Sequence, residues 1–189
     1  MTGMSGVGKS AVLERLAAEG ILCLDLDDGW MCEIQGEPQI DLAAVRQFVR
    51  SHPRESIVFA GCAINQGGLP VDAAILLTAS PETMRERIAQ RKNPFGKDEA
   101  TWQKILKDKE EVEPVLKAKC DLVIHTEQAL DETVAQIRRL LDPRPVQRLR
   151  HAKVRGMPSR GIRAARRLGK IRNDDIMDSP DAGGPDRSL

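Results

Sequence analysis

Eight residues near the amino terminus have the types and the spacing of a phosphate-binding loop. They are Gly3, Met4, Ser5, Gly6, Val7, Gly8, Lys9 and Ser10, and they match the pattern GxxxxGK[ST] at every fixed position. Glycines let the backbone wrap around phosphate oxygens with its N–H groups pointing inward, and the following helix adds the positive end of its dipole. Lys9 should reach the β- and γ-phosphates, and the Ser10 hydroxyl should bind Mg²⁺. We predict a nucleotide-binding P-loop over residues 3–10; the alternative is a chance glycine-rich turn before a helix.

Two aspartates follow a short apolar run at a place where ligands commonly bind. The run 21–24 comes after Gly20 and indicates a buried strand, and Asp25 and Asp27 come directly after it. In open α/β sheets, ligands bind at the carboxyl ends of the strands. Carboxylates there can hold Mg²⁺ or accept the proton of a substrate hydroxyl. The alternative is a solvated acidic loop.

Two arginines share one face of a predicted helix and precede a flexible loop. Arg87 and Arg91 are four residues apart, whereas Arg85 points elsewhere, and the loop 93–97 contains proline and glycine. Such a loop is typical of a lid whose arginines neutralise charge on a phosphoryl group during its transfer. The alternative is a solvated helix face with ordinary surface arginines.

The rest of the pattern predicts the elements that would position these residues. Short apolar runs predict strands at 21–24, 56–61, 73–78 and 122–125. Apolar residues at helical spacing predict helices around 11–18, 42–49, 82–92, 102–112 and 130–141. Strands that alternate with helices favour an α/β fold in which a parallel sheet is covered on both faces.

Composition limits the classes of function. Aromatic residues make up 3% of the chain and tyrosine is absent, so stacking platforms for nucleic-acid bases are scarce. The apolar runs are too short for a membrane helix, and no signal peptide pattern opens the chain. The four cysteines lack metal-binding spacing, which indicates reduced thiols and a cytoplasmic protein.

The charge divides the chain into two parts. Residues 1–142 contain 17 Lys and Arg against 23 Asp and Glu, whereas residues 143–189 contain 12 against 5. The second part is also rich in proline and glycine and poor in apolar residues, which is typical of disorder. We therefore expect a nucleotide-binding domain over 1–142 and a disordered basic tail over 143–189. The tail gives a weak possibility of contact with nucleic acid.

Taken together, the P-loop, Asp25-Leu26-Asp27 and the Arg87-x-x-x-Arg91 pair resemble the small P-loop kinases of the shikimate kinase and adenylate kinase group. The stretches 60–67 and 91–97 are most similar to bacterial AAA-type small ATPases described as shikimate-kinase-like. The resemblance covers about residues 1–141. It implies a three-layer P-loop NTPase fold with strand order 2-3-1-4-5, the ligands ATP and Mg²⁺, and a small acceptor. It also implies that the loop near 125–127 lies beside the adenine.

Three features qualify this resemblance. The strand near 57–60 runs into Gly61 and not into an aspartate, so the resemblance gives the metal-side carboxylate to Asp25 or Asp27 and makes Gly61 an acceptor contact. Asn65 either hydrogen-bonds a polar acceptor or is an ordinary loop residue. The arginine set that binds shikimate is not matched. Only Met1 and Thr2 precede the P-loop, so we expect the first strand to be truncated, either because the true start lies upstream or because the chain is a fragment.

The leading hypothesis is an ATP-dependent phosphotransferase that acts on a small molecule or nucleotide. In it the P-loop holds ATP, Ser10 and Asp25 hold Mg²⁺, and Asp27 orients or deprotonates the acceptor hydroxyl. Lys9, Arg87 and Arg91 neutralise the phosphoryl group. The competing hypotheses are a nucleotide-binding ATPase or regulatory module without small-molecule kinase activity, and an inactive fragment of such a protein.

Overall fold

The computed structural model of the protein describes residues 1–141, and strands alternate with helices along them. The strands are β1 (Leu22–Asp25), β2 (Met31–Ile34), β3 (Glu37–Ile40), β4 (Ile57–Ala60), β5 (Ile75–Thr78) and β6 (Leu122–His125). The helices are α1 (Lys9–Ala18), α2 (Leu42–Ser51), α3 (Pro81–Gln90), α4 (Glu99–Glu111), α5 (Glu113–Lys119) and α6 (Leu130–Leu141), with a short 3₁₀ turn at Gln66–Gly68. The predicted strands are confirmed, and each predicted helix is present. The helix predicted over 82–92 ends at Gln90, so Arg91 follows α3 in an extended conformation instead of sharing a helix face with Arg87, and α5 was not predicted. The basic tail and the boundary at residue 142 lie outside the described residues.

The predicted parallel strands pair two by two. In the first pair β1 lies beside β4, with Asp25 opposite Ala60. In the second pair β5 lies beside β6, with Thr78 opposite His125. Parallel strands joined through helices place their carboxyl ends at one edge, where the predicted site residues follow them. The α/β class with parallel strands is confirmed.

The first two residues of the chain make strand-like hydrogen bonds to both pairs. The Thr2 N–H donates to the Ile75 carbonyl at 2.8 Å, and the Leu77 N–H donates to the Thr2 carbonyl at 2.9 Å. On the other side, the Gly61 N–H donates to the Met1 carbonyl at 3.3 Å. The backbone that leads into the P-loop is therefore anchored to β5 and to the end of β4. The strand order 2-3-1-4-5 remains a prediction.

Two apolar clusters hold the described part of the chain together. The larger cluster packs α1, α3 and α4 against the strands, and Leu16, Leu76, Leu77, Met84 and Ile88 in it are fully buried. Burial of each such side chain contributes roughly 1.5–3 kcal/mol relative to exposure. The smaller cluster lies between β1, β4 and α2 and consists of Leu24, Leu26, Ile40, Val45 and Phe59. Within residues 1–141, no helix is both long enough and apolar enough to cross a membrane.

A β-hairpin between β1 and α2 was not predicted from the sequence. Strands β2 and β3 pair antiparallel around a two-residue turn in which Gln35 has a φ of 54° and Gly36 a φ of 79°. These values are typical of a type I′ turn, for which Asn-Gly is the usual signal and Gln-Gly a weak one. Pro38 within β3 further obscures the strand pattern.

Candidate functional site

The predicted phosphate, metal and arginine residues line one cleft of about 660 Å³. The cleft is bounded by residues 5–10 of the P-loop and by Asp25 and Asp27 at the carboxyl end of β1. Its other side is formed by Arg87 in α3 and by Arg91 in the segment that follows the helix. Of the predicted site residues, it is lined by Ser5, Gly6, Val7, Gly8, Lys9, Ser10, Asp25, Asp27, Arg87 and Arg91. Gly3 and Met4 are buried and are not part of its lining. Residues far apart in the sequence therefore meet around a single space.

The glycines of the P-loop are required by close backbone contacts. Gly3 has a φ of 144°, and a Cβ atom there would lie 2.2 Å from the Leu77 carbonyl oxygen. Gly6 has a φ of 91°, and a Cβ atom there would lie 2.9 Å from the Met84 carbonyl oxygen. Any other residue type at these positions would combine an unfavourable φ with a steric clash. The loop therefore keeps its backbone tight against β5 and α3.

Helix α1 begins at the P-loop without a side-chain cap. Its N-cap is Gly8, which has a left-handed conformation, whereas α2, α3 and α4 are capped by the side chains of Asp41, Ser80 and Asp98. The first N–H groups of a helix need partners, and the helix dipole favours an anion there. Because residues 8–12 line the cleft, this helix end offers its N–H groups to a phosphate group.

The Lys9 ammonium folds back over the loop. Its Nζ atom donates to the carbonyl oxygens of Gly3 at 2.7 Å and Met4 at 3.2 Å. Burial lowers the pKa of Lys9, while the nearby Cys62, Asp27 and Asp25 act in the opposite direction. An ammonium has three N–H donors, so one remains for an anionic ligand. An anion bound in the cleft would favour the charged form of Lys9 and so oppose the lowering of its pKa by burial.

Ser10 and Asp25 place two oxygen ligands side by side. The Ser10 hydroxyl donates to Asp25 Oδ2 at 3.3 Å, and the Asp27 backbone N–H donates to Asp25 Oδ1 at 3.1 Å. Mg²⁺ prefers oxygen ligands and commonly takes one or two from the protein, with the rest from waters and substrate phosphates. Residues 1–141 contain no group of three His, Cys, Asp or Glu side chains placed to hold a metal. The Ser10–Asp25 pair therefore fits Mg²⁺ that arrives with phosphate, and not a metal held by protein alone.

Asp27 lies at the cleft beside Lys9 and Asp25. It is an exposed residue, but neighbouring protein atoms remove part of its hydration, and this desolvation raises the pKa of the Asp27 carboxyl. The charge of Lys9 opposes the increase, and the charge of Asp25 reinforces it. A carboxylate with a raised pKa is a stronger base and is better suited to accept a hydroxyl proton near neutral pH.

The two arginines that line the cleft are held by different hydrogen bonds. Arg87 donates from Nη1 to Thr126 Oγ1 at 2.9 Å and from Nη2 to the Thr126 carbonyl oxygen. Arg91 donates from Nη2 to the Phe95 carbonyl oxygen in the loop that follows α3. The Nε atom of Arg91 is buried and has no hydrogen-bond partner among the described residues, and desolvation lowers the pKa of Arg91. A buried N–H group without a partner is costly, so an anion beside Arg91 would remove that cost.

Of the three predicted acceptor residues, Asp27 lines the cleft, whereas Gly61 and Asn65 are not part of its lining. The Gly61 N–H donates to the Met1 carbonyl, and a Cβ atom on Gly61 would lie 2.9 Å from Leu26 Cβ. The side-chain amide of Asn65 is bonded to Ile40 on both sides: it accepts from the Ile40 N–H at 3.0 Å and donates to the Ile40 carbonyl at 2.8 Å. Asn65 thus joins the end of the hairpin to the segment after β4. An acceptor role for either residue remains a prediction.

Comparison with known proteins is consistent with this geometry. The family model described as "AAA domain" matches residues 1–115, which is more than half of the chain. The chain belongs to this family. No curated protein sequence matches it. Solved structures with a similar fold include a shikimate kinase from Acinetobacter baumannii in complex with shikimate, at 22% identity and a TM-score of 0.53, covering 76% of this chain and 92% of the other. A deoxyadenosine kinase from M. mycoides with bound dATP has 16% identity and a TM-score of 0.51, covering 75% and 97%. This AAA domain therefore has the fold of the small P-loop kinases.

Several residues that line the cleft of this AAA domain were not identified from the sequence. They are Asn93, Phe95, Thr126, Gln128, Leu130 and Thr133. The last four lie beyond the part of the chain that the family model matches, in the loop and helix after β6. The sequence signals for them were general: Asn93 and Phe95 belong to the predicted lid loop 93–97, and Thr126 belongs to the loop near 125–127 that the resemblance places beside the adenine. Single polar residues in a loop carry no periodicity, so pattern alone does not identify them.

Proposed function

We propose that the protein is a Mg²⁺-dependent phosphotransferase that moves the γ-phosphoryl group of ATP to a small hydroxyl-bearing molecule or a nucleotide. The observation that carries the proposal is the single cleft that combines an uncapped helix end, a pair of oxygen ligands, a carboxylate with a raised pKa and two arginines. Phosphoryl transfer needs little covalent chemistry from the protein, because positioning and charge stabilisation provide most of the rate. The residues of the cleft fit those two tasks.

The nucleotide phosphates are proposed to bind at the start of α1. Backbone N–H groups of the P-loop and the free N–H of Lys9 donate to phosphate oxygens there. Ser10 and Asp25 supply the protein ligands for Mg²⁺, which when bound neutralises charge on the phosphates. Arg91, which lines the cleft, places its guanidinium charge beside the transferring group. Arg87 adds its charge next to Gly8, because its Nη1 atom would lie 3.6 Å from a Cβ atom built on that glycine.

Asp27 is proposed to act on the acceptor. It accepts the proton of the acceptor hydroxyl as the acceptor oxygen bonds to the γ-phosphorus. The bond between that phosphorus and the β–γ bridging oxygen breaks, and ADP leaves with the electron pair. The raised pKa of Asp27 makes its carboxylate a stronger base for this step. We place the reaction in the cytoplasm, which suits the four cysteines at positions 23, 32, 62 and 120, since they form no disulfide.

A second function is favoured by one observation. Of the three predicted acceptor residues, two already use hydrogen-bonding groups within the protein: the Gly61 N–H and the Asn65 side-chain amide. If no acceptor binds, the same cleft would hydrolyse ATP and act as a regulatory module, or would bind it without turnover. A kinase and an ATPase would use the same cleft residues. They would differ in whether the phosphoryl group is transferred to an acceptor or to water.

The test is ADP formation by the full 189-residue chain with Mg·ATP, with and without a panel of small hydroxylated compounds and nucleoside monophosphates. Phosphorus NMR then identifies the product. Acceptor-dependent ADP formation with a new phosphate ester supports the kinase, provided that it is lost in Lys9→Ala and kept in Lys97→Ala, an exposed lysine outside the cleft. ADP and inorganic phosphate at a rate that no acceptor changes would support the ATPase instead. Absence of any turnover and binding would contradict both.

A further inference from the structure

A single buried hydroxyl joins the P-loop to the arginine helix. Thr126 follows β6 and its exposed fraction is 5%. Its Oγ1 atom lies 2.9 Å from the Val7 carbonyl oxygen in the P-loop and 2.9 Å from Arg87 Nη1 in α3. The Thr78 carbonyl oxygen at the end of β5 lies farther away, at 3.3 Å. Three separate parts of the chain therefore meet at one oxygen atom.

The direction of these hydrogen bonds follows from the chemistry of the groups. A hydroxyl has one proton and two lone pairs, a guanidinium can only donate, and a carbonyl oxygen can only accept. Thr126 therefore accepts from Arg87 and donates its proton to Val7, the nearer of the two carbonyl oxygens. No apolar side chain of the same shape can do both. A valine would leave the Val7 carbonyl and the Arg87 Nη1 each without this partner.

The same loop also anchors the helix that bears Arg87. The Ser80 N–H, at the N-cap of α3, donates to Glu127 Oε1. Further along α3, Arg87 Nη2 donates to the Thr126 carbonyl oxygen, so that the guanidinium is held by two atoms of one residue. A guanidinium has five N–H donors, and this arrangement leaves three of them for the cleft that Arg87 lines.

We propose that Thr126 is a positioning residue that fixes the Arg87 guanidinium relative to the P-loop. It does not contact the reacting atoms; it acts through Arg87 and Val7. The proposal rests on the proposed function, because a fixed distance between the Arg87 charge and the phosphate-binding backbone matters only if phosphate binds there. Loss of the hydroxyl should remove one of the two contacts that hold the Arg87 guanidinium while leaving the charge of the cleft unchanged.

The experiment compares Thr126→Val, which removes the hydroxyl, with Thr126→Ser, which keeps it, in the full chain. Each is made alone and together with Arg87→Ala. We expect Thr126→Val to lower kcat/KM for Mg·ATP by about tenfold to a hundredfold, as for loss of a hydrogen bond to a charged group, and Thr126→Ser to stay within about threefold of the wild type. In the Arg87→Ala background, Thr126→Val should add less than about twofold, because the two residues act as one unit.

A spectroscopic arm tests the arrangement without turnover. In ¹⁵N-arginine spectra the Arg87 signals, assigned by their loss in Arg87→Ala, should show restricted rotation in the wild type and in Thr126→Ser. Rotation should be faster in Thr126→Val, where only the contact of Nη2 with the Thr126 carbonyl oxygen remains. If Thr126→Val does not melt cooperatively, Arg87→Lys replaces it; this variant keeps the charge but not the two-pronged contact, and it should lose activity comparably.

Three outcomes would overturn the proposal. One is wild-type kcat/KM in a folded Thr126→Val or in Arg87→Lys. Another is an equal loss from Thr126→Val with and without Arg87, which would make the two residues independent. The third is an Arg87 spectrum that Thr126→Val does not change. If the wild type binds no Mg·ATP, the proposed function fails and the positioning role fails with it, while the arginine spectrum still reports whether Thr126 restrains Arg87.

Discussion

Ser10 Oγ lies 3.3 Å from Asp25 Oδ2, although the two residues are 15 positions apart in the sequence. Ser10 lies in the first turn of α1, and Asp25 is the last residue of β1. The contact brings the end of the P-loop to the carboxyl end of a parallel strand. In the proposed function these two oxygens are the protein ligands of Mg²⁺.

Removal of either oxygen should weaken nucleotide binding only when Mg²⁺ is present. We expect Ser10→Ala and Asp25→Asn each to reduce affinity for Mg·ATP by about tenfold to a hundredfold, the range typical of perturbed metal sites. Affinity for ATP in excess chelator should change much less. Titration calorimetry with and without Mg²⁺ makes the comparison, with Asp28→Asn as the matched control. Equal losses with and without the metal would contradict a role in Mg²⁺ binding.

Asp27 should set an acidic limb in the pH dependence of kcat/KM for Mg·ATP, which reports the ionisation of the free enzyme. Because its pKa is raised, the carboxylate gains its proton at a higher pH than an ordinary aspartate, and kcat/KM should fall as the pH drops through that raised pKa. Asp27→Asn should remove most of the activity, whereas Asp28→Asn should keep the wild-type profile. A wild-type profile that stays flat down to the pKa of an ordinary carboxyl would argue against Asp27 as the base.

The raised pKa of Asp27 also predicts an effect on stability. Ionisation of a carboxylate in an ion pair usually stabilises the folded state, whereas ionisation of Asp27 should destabilise it. A raised pKa means that the folded protein disfavours the ionised form, so ionised Asp27 costs stability above its folded pKa. That cost declines as the pH falls through the raised pKa and is absent below the ordinary pKa of aspartate. Nucleotide-free Asp27→Asn should therefore melt at a higher temperature than the wild type near neutral pH, and the difference should vanish in acid. A lower melting temperature for this variant near neutrality would contradict the predicted sign.

Arg91→Ala should lower kcat more than it lowers affinity for ATP. Arg91 lines the cleft, so its guanidinium is placed to stabilise charge that develops on the phosphoryl group during transfer. Losses of about 10²–10³ in kcat are typical when one such donor is removed. Steady-state kinetics with the best acceptor measures the effect, and Lys92→Ala is the control for a neighbouring surface charge. An unchanged kcat would show that Arg91 has no role in transfer and only contacts the Phe95 carbonyl oxygen.

Gly6→Ala should destabilise the protein more than Gly20→Ala. Both glycines have a positive φ, 91° and 84°, so alanine is strained at either position. Only at Gly6 does a Cβ atom also approach a backbone oxygen, that of Met84, at 2.9 Å, whereas Gly20 has open space around it. Gly20→Ala should cost about 1–2 kcal/mol and Gly6→Ala clearly more, with loss of Mg·ATP binding in the latter. Urea denaturation of the two variants gives the difference, and equal costs would show that the loop can move away from α3.

The sequence was sufficient for the parts of the fold and site that follow local rules. The P-loop is a contiguous pattern, and strands such as β5 are unbroken apolar runs, so both were predicted at the observed positions. The hairpin β2–β3 was missed because its Gln35-Gly36 turn is a weak signal and its strands are short. Thr126 was missed because its role depends on contacts with Val7 and Arg87, 119 and 39 residues away, which no local pattern encodes.

Calorimetric titration of Mg·ATP into the full chain tests the central claim most directly. In the proposed site Lys9 is the cation of the P-loop, held by the Gly3 and Met4 carbonyls with one donor free for phosphate. We predict saturable binding in the wild type and in Lys97→Ala, and no measurable binding in a Lys9→Ala variant that still melts cooperatively. Undiminished affinity in folded Lys9→Ala, or no binding by the wild type, would contradict a nucleotide site in this cleft.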